Sequence, residues 1–405
     1  MARLAVLLLP VLACSFSPLE SDLSDGGSSA AGGVWSLAAP PQPTFGGAGG
    51  SVVFPAASGG TPEVGGGGAG GPQMPFAGRA GGTTQTAAMT TTDCAPISTT
   101  PVVLNRCGHT FGVAYSPDGQ LLAAGMDWAN PSVRLWRLGD DMPLPAFEGQ
   151  GNEVTYNLAF SPDGNTLAAA GFRVDNSGLQ VPLLRLWDVA TGSLVRSLPV
   201  NTGGYADTVA FSHDGVLLAT AGAYGATEIW RVSDGGRVRN ITIAGSAHNI
   251  HFSPDDSQII VATTDGRARV WNVATGALVL DKVTVAVEMA DADFSPDGKQ
   301  IASTGDGNVV RFWNAATGDL LQTLSGHANY ISHVVWIDQN RVVSGDWQGG
   351  VILWTRDDLG SFTASRTWST GGQTSGIAIS PDKATLVTGG MDPTTYATGF
   401  VFISL

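Results

Sequence analysis

The stretch SPDGKQIASTGDGNVVRFW, residues 295–313, contains the pattern that decides the fold. Ser295-Pro296-Asp297-Gly298 reads as a turn, because proline fixes φ, aspartate bonds to nearby backbone and glycine admits a left-handed conformation. The apolar run KQIAST follows as a buried strand, and VRFW ends a second strand on Trp313. The turn recurs at Ser116, Ser161, Ser212 (SHDG), Ser253 (SPDD) and Ser380 (SPDK), and the degenerate WIDQ at Trp336 fills the gap in phase. From Ser116 through Ile337 to Ser380 the steps are 45, 51, 41, 42, 42 and 43 residues. The second strand ends on Trp136, Trp187, Trp230, Trp271, Trp313 and Trp354 in turn. A fixed period of this kind means that one supersecondary unit is repeated, each copy needing its neighbours to bury its apolar face.

Each unit holds four short strands. Val154, Tyr156, Leu158 and Phe160 alternate with period two before the turn, and GSLVRSLPV or GDLLQTLSG follows the tryptophan as a last strand. This pattern resembles the WD-repeat family of β-propellers over about residues 100–405, in seven copies. The resemblance implies an all-β, seven-bladed propeller of four-stranded antiparallel blades. The seventh unit lacks a fourth strand and Thr100 to Arg106 has no unit of its own, so placing that strand on the C-terminal blade closes the ring. The copies depart from the family in several places. Only Trp187-Asp188 is a literal Trp-Asp pair, and the Gly-His dipeptide occurs at Gly108-His109 and Gly326-His327. His327, Ser344 and Trp354 match three members of the family's His, Ser/Thr, Asp, Trp network, with Gln348 where the aspartate is expected.

The N-terminus reads differently. Met1-Ala2-Arg3 precedes a ten-residue apolar stretch, Leu4 to Ala13, which is too short to span a bilayer and suits the h-region of an export signal. Val11-Leu12-Ala13-Cys14 resembles the lipobox of bacterial lipoprotein signal peptides. That implies a signal peptide over residues 1–13, lipidation of Cys14 and anchoring by acyl chains alone; an ordinary signal peptide cleaved nearby is the alternative. Ser15 after the cysteine implies, by the same resemblance, the outer membrane of the cell envelope. Residues 14–92 are Gly-, Ala-, Ser- and Pro-rich, with GGAGG at Gly46 and GGGGAGG at Gly65, and bury too little apolar surface to offset ordering entropy. They read as a disordered linker ahead of a folded domain over 93–405. Cys94 and Cys107 either pair in an oxidising compartment or stay as free thiols.

Composition excludes some functions. The chain has 405 residues, 20 Lys+Arg against 34 Asp+Glu and a formal charge of −14. Its only lysines are Lys282, Lys299 and Lys383, and its arginines are scattered. Nucleic acid is therefore not an expected partner, since phosphate binding needs clustered cations. The Gly-rich tracts lack the Lys-Ser/Thr of a phosphate loop, and no nucleophile elbow, zinc signature or dinucleotide fingerprint is present. The sequence implies no metal, no cofactor and no enzyme.

Two sites are candidates. The turns between second and third strands, on one face of such a propeller, are longest in units one, two and seven, which become neighbours when the ring closes. With the unit-six turn they gather Trp128, Asn130, Phe172, Arg173, Asp175, Trp347, Met391, Asp392 and Tyr396, and aromatic residues with arginine are what protein interfaces use as anchors. Long loops also pack on themselves, which would leave no site. Aligned inner strands put His251 and Asp293 at one register on adjacent blades, where the other units have Ala or Val. Such a pair either binds a polar ligand or holds a general base, or it is a hydrogen bond joining two blades. The turn aspartates Asp118, Asp163, Asp214, Asp255, Asp297 and Asp382 are explained by turn formation.

The expected function is a protein-interaction scaffold, with a channel enzyme or ligand binder and a structural spacer as alternatives. It rests on the family resemblance and the aromatic loops, because fold alone does not give function.

Overall fold

A computed structural model describes residues 103–105 and 109–405, apart from 128–130, 140–142, 149–152, 202–203, 284–287, 306 and 392–397. The signal peptide, Cys14, the linker, Cys94 and Cys107 lie outside the described residues, as do Trp128, Asn130, Asp392 and Tyr396.

Seven antiparallel sheets follow one another as blades of a β-propeller. Their inner strands are Thr110–Tyr115, Glu153–Phe160, Ala206–Phe211, Ala247–Phe252, Met289–Phe294, Ile331–Asp338 and Gly376–Ile379, in blades one to seven. Each neighbours the inner strands of the two flanking blades, the seventh meeting the first, so that they surround a central channel. Six sheets have four strands, and blade one has three, its outer strand reduced to a bridge between Trp136 and Pro143. In blade seven the fourth strand is Val103–Asn105, with Val103 opposite Phe400 and Asn105 opposite Thr398.

The repeated turn is built identically in six blades. In each, the serine hydroxyl donates to the aspartate two residues on, at 2.5 Å for Ser116–Asp118 and 2.7 Å for Ser212–Asp214. The same aspartate accepts the next amide but one, as from Gln120 at 3.0 Å, and the serine oxygen accepts an amide from the following strand, Leu121 at 2.8 Å. These aspartates are occupied within their own turns, which accounts for their recurrence. Turns also touch around the ring: a side chain added at Gly119 of blade one would meet the Pro381 ring of blade seven at 3.5 Å.

The core is seven seams rather than one centre. Trp187 of blade two packs with Leu135 and Phe147 of blade one. Trp230 likewise meets Leu186 of blade two, Trp271 meets Ile229 of blade three, and Trp313 meets Val270 of blade four. Trp354 joins Phe312 of blade five, while Trp136 lies edge-on to Phe400 of blade seven at 5.2 Å between centroids. The repeat tryptophans thus bury their indoles against the preceding blade, each removing on the order of 200 Å² from water. Between blades six and seven, Leu353, Ile377, Leu386 and Ile403 take that role. No blade buries its apolar face alone, which is why the sequence repeats.

Candidate channel and mouth

The inner strands of blades one to six each carry a register shift near their start, at Thr110/Gly112, Thr155/Asn157, Ala206/Thr208, Ala247/Asn249, Met289/Asp291 and Ile331/His333. A bulge inserts one extra residue and re-aims its side chain. The extra residues are Phe111, Tyr156, Asp207, His248, Ala290 and Ser332, all at the end of the channel opposite the Ser-Pro-Asp-Gly turns.

This mouth has two unlike sides. On blades one to three Phe111 lies 5.1 Å from Tyr156, and Tyr156 lies 5.4 Å from Tyr205, each pair near-perpendicular. All three rings are half-buried. On blades three to five His248 lies between two carboxylates, with Nε2 2.5 Å from Glu288 and Nδ1 3.4 Å from Asp207. Burial opposes the charge on His248, but the hydrogen bonds and charges of Asp207 and Glu288 outweigh it and lift the imidazole to about 10.

Deeper in the channel a second cluster crosses blades three to six. Asp291 is 1% exposed and accepts from Asn249 Nδ2 at 2.8 Å and from the Val334 amide at 3.1 Å. Thr208 extends the chain by donating to Asn249 at 2.9 Å. His251 turns Nε2 to Asp291 at 3.3 Å and Nδ1 to Asp293 at 3.7 Å. The register that pairs His251 with Asp293 does bring them together, yet the nearer carboxylate is Asp291. Burial works against the His251 charge, and Asp293 and Asp291 overcome it, raising the imidazole to about 9. Burial pushes the Asp293 carboxyl upward, with His251 opposing. His333 on blade six is pulled down by burial, and its buried Nδ1 has no hydrogen-bond partner.

A third histidine cluster lies within blade six. Trp354 Nε1 donates to Ser344 Oγ at 2.8 Å, Ser344 bonds His327 Nε2 at 2.7 Å, and His327 Nδ1 lies 2.7 Å from Asp346. The acid is Asp346, not a residue at the Gln348 position as the spacing predicts. Asp346 Oδ1 accepts the Gln348 and Gly350 amides, both at 2.9 Å, so the turn folds back on an acid two residues earlier. Burial would raise Asp346, but the His327 bond and these amides hold it below the usual carboxylate range. His109 has a different partner: its Nε2 lies 3.0 Å from Ser375 on blade seven, and burial lowers it to about 4.

The loop residues expected at the same face are dispersed. Phe172 is 4% exposed, packed 5.7 Å from Tyr156 behind the aromatic side, so it supports the mouth and is not the exposed anchor expected. It is misread because the hairpin continues the strands Thr166–Val174 and Gln180–Asp188, placing Phe172 opposite Pro182. Arg173 on the same hairpin is exposed. Asp175 accepts from the Ser177 hydroxyl at 2.6 Å and the Leu179 amide at 3.0 Å, which commits it to the hairpin tip. Trp347 is half-buried with its ring 4.9 Å from Tyr330. Met391 ends its strand, and its side chain lies outside the described residues. Sequence alone missed the part played by Asn249, Asp207 and His333, because the bulge interrupts the alternation that assigns side chains to a face.

Four segments, residues 102–137, 241–272, 286–314 and 318–355, match the family model described as WD domain, G-beta repeat. Four of the seven blades thus resemble WD repeats. The matched segments cover blades one, four, five and six; the remaining blades keep the turn and the strand order in more divergent sequence. A search of curated proteins gave no match. WD repeats support membership of the WD-repeat family and suit a surface for protein partners. Among the described residues, no group of three His, Cys, Asp or Glu side chains is placed to hold a metal ion, and no helix is long and apolar enough to cross a membrane.

Proposed function

We propose that this WD-repeat propeller is a non-enzymatic scaffold that binds protein partners at the channel mouth, and that it is exported and held to the cell envelope by lipid on Cys14 through the linker of residues 14–92. The observation that carries the binding site is the half-buried aromatic side formed by Phe111, Tyr156 and Tyr205, with Trp347 tilted against Tyr330 at the same end. Aromatic side chains that keep part of their surface in water are the usual anchors of protein interfaces. Exposed Arg173 adds a charged edge, and the excess of acid over base in the chain favours a basic partner.

The test pairs wild-type protein with a Trp347→Ala, Arg173→Ala double variant in affinity capture from solubilised native envelope. A partner held by the wild type and lost by the variant, at an unchanged melting temperature, supports the site. Equal recovery by both contradicts it. Lipidation is tested separately by mass spectrometry of the mature N-terminus, where acylated Cys14 is expected and an unmodified terminus at another residue would overturn the anchor. A second reading, a ligand in the channel, is favoured by the His251, Asp291 and Asp293 cluster.

A further inference from the structure

The seam between blades three and four opens at the rim of the propeller into a cavity of about 510 Å³. Residues of the outer strands Arg237–Thr242 and Leu278–Val283 wall it, with Arg269 and Trp271 of the strand Arg267–Asn272. Arg239 reaches across this seam. Its Nη2 donates to the Ala274 carbonyl in the turn of blade four, its Nη1 turns back to Val238 O at 3.1 Å, and its Nε is buried without a hydrogen-bond partner. Arg196 stands at the same register one blade earlier, opposite Leu186 as Arg239 is opposite Ile229. It commits both ends of its fork across the seam, to Asp234 O at 2.8 Å and Ser233 O at 3.3 Å. A Cβ added at Gly235 would meet Arg196 at 2.5 Å and Leu198 at 2.9 Å, whereas one at Gly276, the matching turn glycine, meets Arg239 no nearer than 3.6 Å. The earlier seam is filled, and the later one keeps space beside its arginine.

Charge is also unbalanced at this seam. Arg231, Arg237, Arg267 and Arg269 each have a carboxylate, in Asp234, Glu228, Asp281 and Asp265 in turn. Arg239 donates to carbonyls alone. In a chain with a formal charge of −14, the described side chains of these strands and turns thus leave one cation without an acid. A half-buried guanidinium without a counter-ion is costly, and a bound anion offsets that cost where a bound cation would add to it.

We propose that this rim cavity is a binding site for a monocarboxylate, with the Arg239 guanidinium as its anchor. Nη1, whose acceptor lies on its own strand, is the donor that turns to the carboxylate. The exposed side chains of Asn240 and Thr275 line the same cavity and suit a polar remainder of the ligand. One carboxylate charge matches the one unpaired cation, and its planar oxygens suit a guanidinium. A phosphate dianion would bring a second charge towards Asp265 and Asp281, which hold Arg269 on the cavity wall.

Isothermal titration calorimetry on the full chain at low salt tests this with two carboxylates from different sources, glucuronate and N-acetylalanine. Their uncharged counterparts, glucose and N-acetylalanine amide, and inorganic phosphate serve as comparisons. Saturable binding of at least one carboxylate, tighter than that of its counterpart and of phosphate, is expected; glucuronate would mark a sugar acid as the ligand and N-acetylalanine a peptide carboxyl end. Arg239→Gln should weaken it roughly tenfold or more. Ala244→Trp, at an exposed position lining the cavity, fills the space with every charge in place and should abolish binding, so the test stands even if Arg239→Gln folds poorly. Arg196→Gln, at the matching register of the filled seam, should leave binding unchanged. Absence of binding by both carboxylates, equal binding of the uncharged counterparts, tighter binding of phosphate, or binding unchanged in both Arg239→Gln and Ala244→Trp would overturn the proposal. A loss in Arg196→Gln as large as that in Arg239→Gln would do the same. None of these readouts depends on a protein partner, so the scaffold reading stands or falls separately.

Discussion

Blade six and the channel wall use the same side chains for opposite ends. In blade six His327 lies between Ser344 and Asp346, and the circuit closes on Trp354 and two backbone amides. Every polar atom in it is spent inside one blade. In the channel His251 also lies between oxygens, but those of Asp291 and Asp293 belong to the next blade, and one carboxylate remains partly open. The closed circuit holds a turn to a strand, whereas the channel contacts join neighbouring blades. The difference shows that residue type alone does not tell how far a histidine's partners are satisfied.

The largest effect is expected where the closed circuit meets a seam. Trp354→Ala removes both the indole packed on Phe312 and the donor to Ser344, and should cost about 3–5 kcal/mol in urea unfolding. A loss under about 1 kcal/mol would mean that the seams do not carry the stability. Ser344→Ala keeps the packing but leaves His327 Nε2 and Trp354 Nε1 buried without partners, for an expected loss of about 1–3 kcal/mol.

Acidity separates the two regions further. His248 and His251 have native values near 10 and 9, above the ordinary 6.5, so the folded state holds more protons than the unfolded chain between these limits. Their contribution is complete below about pH 6.5 and disappears as pH rises through about 9 to 10. His109 has the opposite sign: with a native value near 4, its contribution is lost as pH falls from 6.5 towards 4. Urea midpoints should therefore peak close to neutrality, and His251→Gln should flatten the alkaline limb while leaving the acid limb intact. An unchanged alkaline limb would contradict the channel ion pairs. The smallest effect belongs to Asp293→Asn, expected within about 1 kcal/mol of wild type by thermal melting, because burial already disfavours its charge. A loss as large as that of Ser344→Ala would place Asp293 with the structural circuits.

Much of the fold is legible because its elements repeat. One Ser-Pro-Asp-Gly turn and one tryptophan per unit reveal the blades, since the turn bonds and the seam recur with each copy. His251 and Asp293 can be paired by aligning inner strands because both precede the turn by the same interval. Asp291 and Asn249 form the stronger links across the blades, and their positions follow from the bulge at Ala247/Asn249 and Met289/Asp291, a backbone event that leaves no residue signature. Asp346 is obscured in the same way, since a turn two residues shorter in reach satisfies the same histidine. Phe172 is misjudged because loop length alone does not show whether a hairpin stays strand to its tip.

Photocrosslinking tests most directly whether the mouth is the binding surface. p-Benzoylphenylalanine is placed at Arg173 in one chain and at Leu321, 50% exposed on the outer strand of blade five, in another. Irradiated in native envelope, the Arg173 position should form a covalent adduct with a discrete protein and the Leu321 position should not. Adducts at Leu321 alone, or the same adduct from both, would contradict binding at the channel mouth.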